Sequence, residues 1–181
     1  ARETGTVSLG PGDGTTTVTV DPAVDRTVEP DETVILKVTA GAGYNVGTPN
    51  SAIGTITNDD VSTVSVAVAS LMLADAPGVV TYTFTRSNTS AQTPALTVNF
   101  ATTGSASAST DYTASTTGTV SFAPGASTTT VTVDPTVDTT VEPDETVILT
   151  VTAGAGYNVG TPNSANGTIT NDDVSTVSVA V

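Results

Sequence analysis

Residues 127–151 read STTTVTVDPTVDTTVEPDETVILTV. Thr and Val alternate across 128–134, so Val131 and Val133 share one face and hydroxyls cover the other. A period of two marks a half-buried β-strand. Pro143 has no N–H to give a ladder, which discourages a strand at that point. Glu142 and Asp144 therefore belong to a bend, and Glu145 opens the next strand, expected over 145–153. A strand, an acidic bend and a second strand follow one another within this stretch.

The same pattern continues on both sides. Val and Thr suit a pleated, half-buried surface better than a helix. Further strands are expected at 62–69, 79–87, 95–102, 118–123, 128–134 and 167–171. Turns separate them: Ala-Pro-Gly at 76–78 and 123–125, and Gly-Thr-Pro-Asn at 160–163. The small polar stretch 104–110 reads as a loop or weak edge. About seven short strands with regular turns predict an all-β, antiparallel two-sheet β-sandwich with Greek-key connections.

The stretch VEPDETVIL at 28–36 returns unchanged at 141–149. Asn58-Asp59-Asp60 returns as Asn171-Asp172-Asp173, a shift of 171 − 58 = 113 residues. With that shift, residues 1–68 align with 114–181 and differ at ten positions. Such identity implies tandem repeats, and a unit of this length is a whole domain rather than a solenoid coil. The expected division is 1–60, the C-terminal half of one repeat; 61–173, a complete repeat; and 174–181, the first strand of the next. Half a sandwich exposes its inner face, so residues 1–60 need partner strands and should not fold alone.

The 181 residues carry four Lys plus Arg against 18 Asp plus Glu, a formal charge of −14. So few cations argue against nucleic acid or an anionic membrane as a partner. No stretch resembles a signal peptide or a membrane span, so direct membrane insertion is not expected. Without Cys or His, disulfides, thiol chemistry and most zinc or copper sites are excluded. Catalysis has little footing, because no nucleophile elbow occurs and the acids cluster without aromatic walls. The acids do suit a hard cation, since several carboxylates in one short bend repel each other and calcium takes six to eight oxygens. The plainer reading of the bend is a solvated turn that protects a sheet edge.

Three stretches taken together carry a family resemblance: STDYTASTTGTVSFAPGASTTTVTV, VDTTVEPDETVILTV and GTITNDD. In this order they resemble the Calx-beta domain, found in sodium–calcium exchangers and many bacterial surface proteins. The resemblance implies an immunoglobulin-like sandwich with Ca2+ at one pole. It also implies a ligand set of Asp75, Asp111, Asp138, Glu142, Glu145, Asn171, Asp172 and Asp173. The 113-residue shift carries the same reading to Asp25, Glu29, Glu32, Asn58, Asp59 and Asp60. Asn at 171 and the shorter acid at 75 depart from the family pattern, so fewer ions or lower affinity are expected.

The leading functional expectation is a calcium-binding stalk or spacer in a long exported bacterial protein, extracellular or at the cell surface. Its partners would be neighbouring repeats or identical chains, with any surface or matrix ligand gripped elsewhere in the parent protein. The alternatives are a self-assembling filament or sheath subunit, and an adhesin module that binds a glycan or host protein.

Overall fold

The computed structural model describes residues 5–69, 72–74 and 78–180. Asp75, with Ala76 and Pro77 of the expected turn, lies outside them. The described residues form twelve strands and no helix. Residues 62–170 build two five-stranded sheets. One has β3 (Ser62–Val68), β5 (Val80–Arg86), β7 (Tyr112–Ala114), β9 (Thr128–Pro135) and β11 (Tyr157–Val159), in the order β11-β3-β5-β9-β7. The other has β4 (Met72–Ala74), β6 (Leu96–Thr103), β8 (Thr119–Phe122), β10 (Glu145–Val151) and β12 (Ser164–Thr170), in the order β4-β12-β10-β6-β8.

The period-two pattern decides what is buried. Along β5, Val80, Tyr82, Phe84 and Arg86 point inward; along β10, Val147, Leu149 and Val151 do so. The two inner faces meet in one core, where Phe84 and Phe100 pack with ring centroids 5.5 Å apart. The seven expected strands are all present, with ends shifted by a few residues. Three strands were not anticipated: β4, β7 and β11. Of these, β4 pairs parallel with β12, and β11 pairs parallel with β3. The sandwich is thus antiparallel inside, with a parallel three-residue strand at one edge of each sheet.

Tyr82 fastens the sheets together. It is fully buried, and its hydroxyl on β5 donates to the Val147 carbonyl on β10 at 2.7 Å. A Cβ at Gly167 would fall 2.5 Å from that hydroxyl oxygen, so the bond requires glycine there. Burial is the main cause that pushes the Tyr82 hydroxyl up to about 12. In the unfolded chain it ionises near 10. The folded state then holds a proton that the unfolded state has lost, so stability is full below pH 10 and declines above it. Denaturant titrations should show a loss of about 2 kcal/mol between pH 10 and 12, and Tyr82→Phe should remove most of that slope.

Arg86 is buried on the inward phase of β5, and among the described residues no acidic partner is in hydrogen-bonding reach. Its guanidinium donates to three carbonyls: Ala126 at 2.6 Å, Pro94 at 2.8 Å and Ala123 at 3.1 Å. It also lies 5.1 Å above the Phe122 ring centroid, within cation–π range.

The first copy contributes β1 (Glu32–Lys37) and β2 (Ser51–Ile56), an antiparallel pair. The same residues have different surroundings in the two copies. Leu149 is 1% exposed and Leu36 44%; Tyr157 is 7% exposed and Tyr44 52%. The cause is what lies alongside. β10 sits between β12 and β6, whereas β1 pairs only with β2 among the described residues. Both tyrosines keep the same local bond, hydroxyl to the carbonyl five residues earlier, at 2.6 Å.

Candidate metal centre

Four segments meet at the pole where β12 ends. The first is the bend 138–145. Asp138 Oδ1 accepts the Thr140 amide at 2.6 Å, and that backbone bond is the main reason its carboxyl stays below the usual range. Pro143 keeps the chain out of the sheet, and β10 begins at Glu145. The second is the loop before β7. Asp111 is fixed there at both ends: its Oδ2 accepts the Ser107 amide at 2.5 Å, and its own amide donates to the Ser107 carbonyl at 2.9 Å. The third is the end of β9, where the Thr136 amide donates to the Asp111 carbonyl at 2.9 Å. The fourth is the exit segment 171–173.

Asn171 braces this arrangement. Its Oδ1 accepts the Glu142 amide at 2.9 Å, its Nδ2 donates to the Asp173 carbonyl at 2.9 Å, and its amide donates to Asp144 Oδ1 at 3.2 Å. An Asp at 171 could accept but not donate, which accounts for the amide side chain. Asp144 was not expected to take part, yet it ties the bend to the exit segment.

Carboxylate oxygens of Asp111, Glu142 and Glu145 converge to within 4.8 Å of one another. Their proximity is costly without a cation. Glu145 is held above the usual carboxylate range, first by partial burial and then by the charges of Asp111 and Glu142. Two oxygens on opposite sides of a calcium ion stand about 5 Å apart, so the three can share one such ion. Asp138 and Asn171 line the same depression, with Ile169 and Pro143. Asp173 Oδ2 is buried and has no hydrogen-bond partner. Asp173, expected as a ligand, nevertheless belongs neither to the three-carboxylate group nor to the lining of this depression. Asp172 is exposed and stands outside the three-carboxylate group.

The first copy repeats the brace but not the cluster. Asn58 accepts the Glu29 amide at 3.1 Å, donates to the Asp60 carbonyl at 2.9 Å, and its amide donates to Asp31 at 2.9 Å. Asp25 accepts the Thr27 amide at 2.6 Å. Among the described residues Asp25, Glu29, Glu32, Asp59 and Asp60 form no convergent group.

Residues 57–173 match the Calx-beta domain family, and the chain belongs to it. Similar solved structures include two of Calx domains. The apo-form Calx CBD1 domain matches at 22% identity with a TM-score of 0.50, covering 61% of this chain and 99% of that one. CBD12 from CALX1.2 matches at 22% identity and a TM-score of 0.50, covering 60% of this chain and 44% of that one. At such identity the likeness is one of fold. No curated protein matches the chain.

Proposed function

We propose that this chain is a calcium-binding structural repeat of a long exported protein, acting as a stalk or spacer at the cell surface. The observation that carries it is the convergence of Asp111, Glu142 and Glu145 at the pole where β12 ends. These three would hold the ion, with Asp138 and Asn171 lining the same depression. Calcium supplies two positive charges that cancel the repulsion among them. The chain's own part is to keep the acids in place through Pro143, Asn171 and the Ser107 amide.

The domain reading accompanies this proposal. Residues 61–173 are one complete repeat, 1–60 the second half of another, and 174–181 the first strand of a third. The exposure of Leu36 and Tyr44, against the burial of Leu149 and Tyr157, supports it. Asp173 directly precedes the strand equivalent to β3, so an ion there would restrain the joint. Partners are then neighbouring repeats, in the same chain or in identical chains.

The test is a thermal melt of the intact chain with and without calcium. A ligand that binds only the folded state adds about 2.7 kcal/mol at a hundredfold excess over Kd. Millimolar calcium should raise the melting temperature, and magnesium, which sheds its waters reluctantly, should barely do so. Glu145→Gln should abolish most of the rise. An unchanged melt in calcium would overturn the ion-binding reading.

A further inference from the structure

The loop at 87–94, between β5 and β6, is tightly built around Thr93, which is fully buried. The Thr93 hydroxyl oxygen accepts the Ser90 amide at 2.7 Å, and the Thr93 amide donates to the Ser90 carbonyl at 3.2 Å. The Gly125 amide donates to the Thr93 carbonyl at 2.9 Å, and Arg86 holds the next carbonyl, that of Pro94. Asn88 turns through the left-handed region with φ 58°. Two groups of this loop are left for a partner outside it: the Asn88 carbonyl and the hydroxyl hydrogen of Thr93.

One residue of the preceding copy takes both. The Val28 amide donates to the Asn88 carbonyl at 2.9 Å, and the Thr93 hydroxyl donates to the Val28 carbonyl at 2.7 Å. This exchange of donor and acceptor resembles one rung of a β-ladder, here joining residues 65 apart in the sequence. Val28 immediately precedes Glu29 in the acidic bend of its own copy, and the loop lies at the pole where β3 begins.

We propose that this clasp is the joint between successive units, and that Val141 is the docking element for the 87–94 loop of a further copy. The hexapeptide Thr-Val-Glu-Pro-Asp-Glu is identical at 27–32 and 140–145. Its brace is also the same, with Glu29 held by Asn58 and Glu142 by Asn171. Val28 is half-buried, whereas Val141 is 51% exposed, and among the described residues no loop takes its peptide group. A second copy is the occupant the geometry selects, because this loop already holds the same hexapeptide once. The clasp also fixes an angle. The linker is tied at the Asp60 carbonyl by Asn58, and Val28 adds a second attachment, so two points hold what one would leave free to swing. The inference rests on the tandem-repeat reading but not on the ion.

Amide hydrogen exchange on the full chain tests it, because Val28 and Val141 are sequence-matched probes. In calcium and in chelator alike, the Val28 amide should exchange at least about tenfold more slowly than that of Val141. Thr93→Val should bring Val28 close to the Val141 rate and leave the Glu29 and Glu142 amides as they were. Thr93 also supports its own loop, so Val28→Pro gives a second reading that leaves the loop intact. It should free the β1–β2 pair to move against the sandwich, seen as divergent alignment tensors in residual dipolar couplings. With its loop vacated, this variant at millimolar concentration should accept Val141 of another molecule, and the Val141 amide should slow as concentration rises. Equal rates at Val28 and Val141 in the unaltered chain would overturn the clasp, whatever calcium does to the melt. A Val141 rate independent of concentration in Val28→Pro would overturn the second copy as partner. Retained asymmetry with a calcium-insensitive melt would overturn the ion-binding reading alone.

Discussion

Arg86→Ala is expected to lower the unfolding free energy of the intact chain by about 3 kcal/mol. The substitution leaves the Ala126, Pro94 and Ala123 carbonyls without their shared donor. It also opens a void above Phe122. A buried acceptor stripped of its partner costs about 1–3 kcal/mol, and water entering from this pole offsets part of the sum. Arg86→Lys should recover only a minority of the loss, because an ammonium cannot present the planar fork that reaches three carbonyls at once. Urea unfolding measures both. A loss under about 1 kcal/mol for the alanine variant would show that the three bonds are replaced by solvent at little cost.

Leu149→Ala should cost about 3 kcal/mol, within the range for deleting a buried leucine. Leu36→Ala, the same change 113 residues earlier in an identical VEPDETVIL stretch, should fall within about 0.5 kcal/mol, as surface changes do. Local sequence is the same, so the difference isolates tertiary surroundings. β6 and the opposing sheet cover Leu149, and among the described residues no equivalent strands cover Leu36. Similar costs at the two positions would mean that the β1–β2 pair buries its inner face in solution, against the half-repeat reading.

The long strands were legible because Val and Thr alternate with little interruption, and their turns carry Pro and Gly. The bend was legible because Pro143 cannot join a ladder, and β10 does start at Glu145. The short strands β4, β7 and β11 were not. Three residues cannot display a period, and pairing at a parallel edge is decided by the crossover rather than by the segment itself. The convergence of Asp111 with Glu142 and Glu145 rested on the family resemblance, since 31 to 34 positions separate them in the chain and composition says nothing of which acids meet. Asn171 read as a weakened ligand position, and its bonds show why an amide is needed there. Asp144 was set aside because the family pattern omits it; its bond to the Asn171 amide lies within the bend's own geometry, which spacing does not reveal. Arg86 left a usable signal. It occupies the inward phase after Val80, Tyr82 and Phe84, where a cation must find acceptors or unfold the strand.

The placement of β3 and β12 bears on how the unit responds to tension. β3 starts at one pole, β12 ends at the other, and they belong to different sheets. A pull along the polypeptide enters at Ser62 and leaves at Thr170, parallel to both strands. Each strand is flanked on both sides, β3 by β11 and β5, and β12 by β4 and β10. The load is therefore shared as shear across whole ladders instead of peeling bonds one after another. Rupture under force is governed by the unfolding rate, and a shear arrangement makes that event all-or-none. A fibre of such units would lengthen in discrete steps, each one the sudden yielding of a single sandwich.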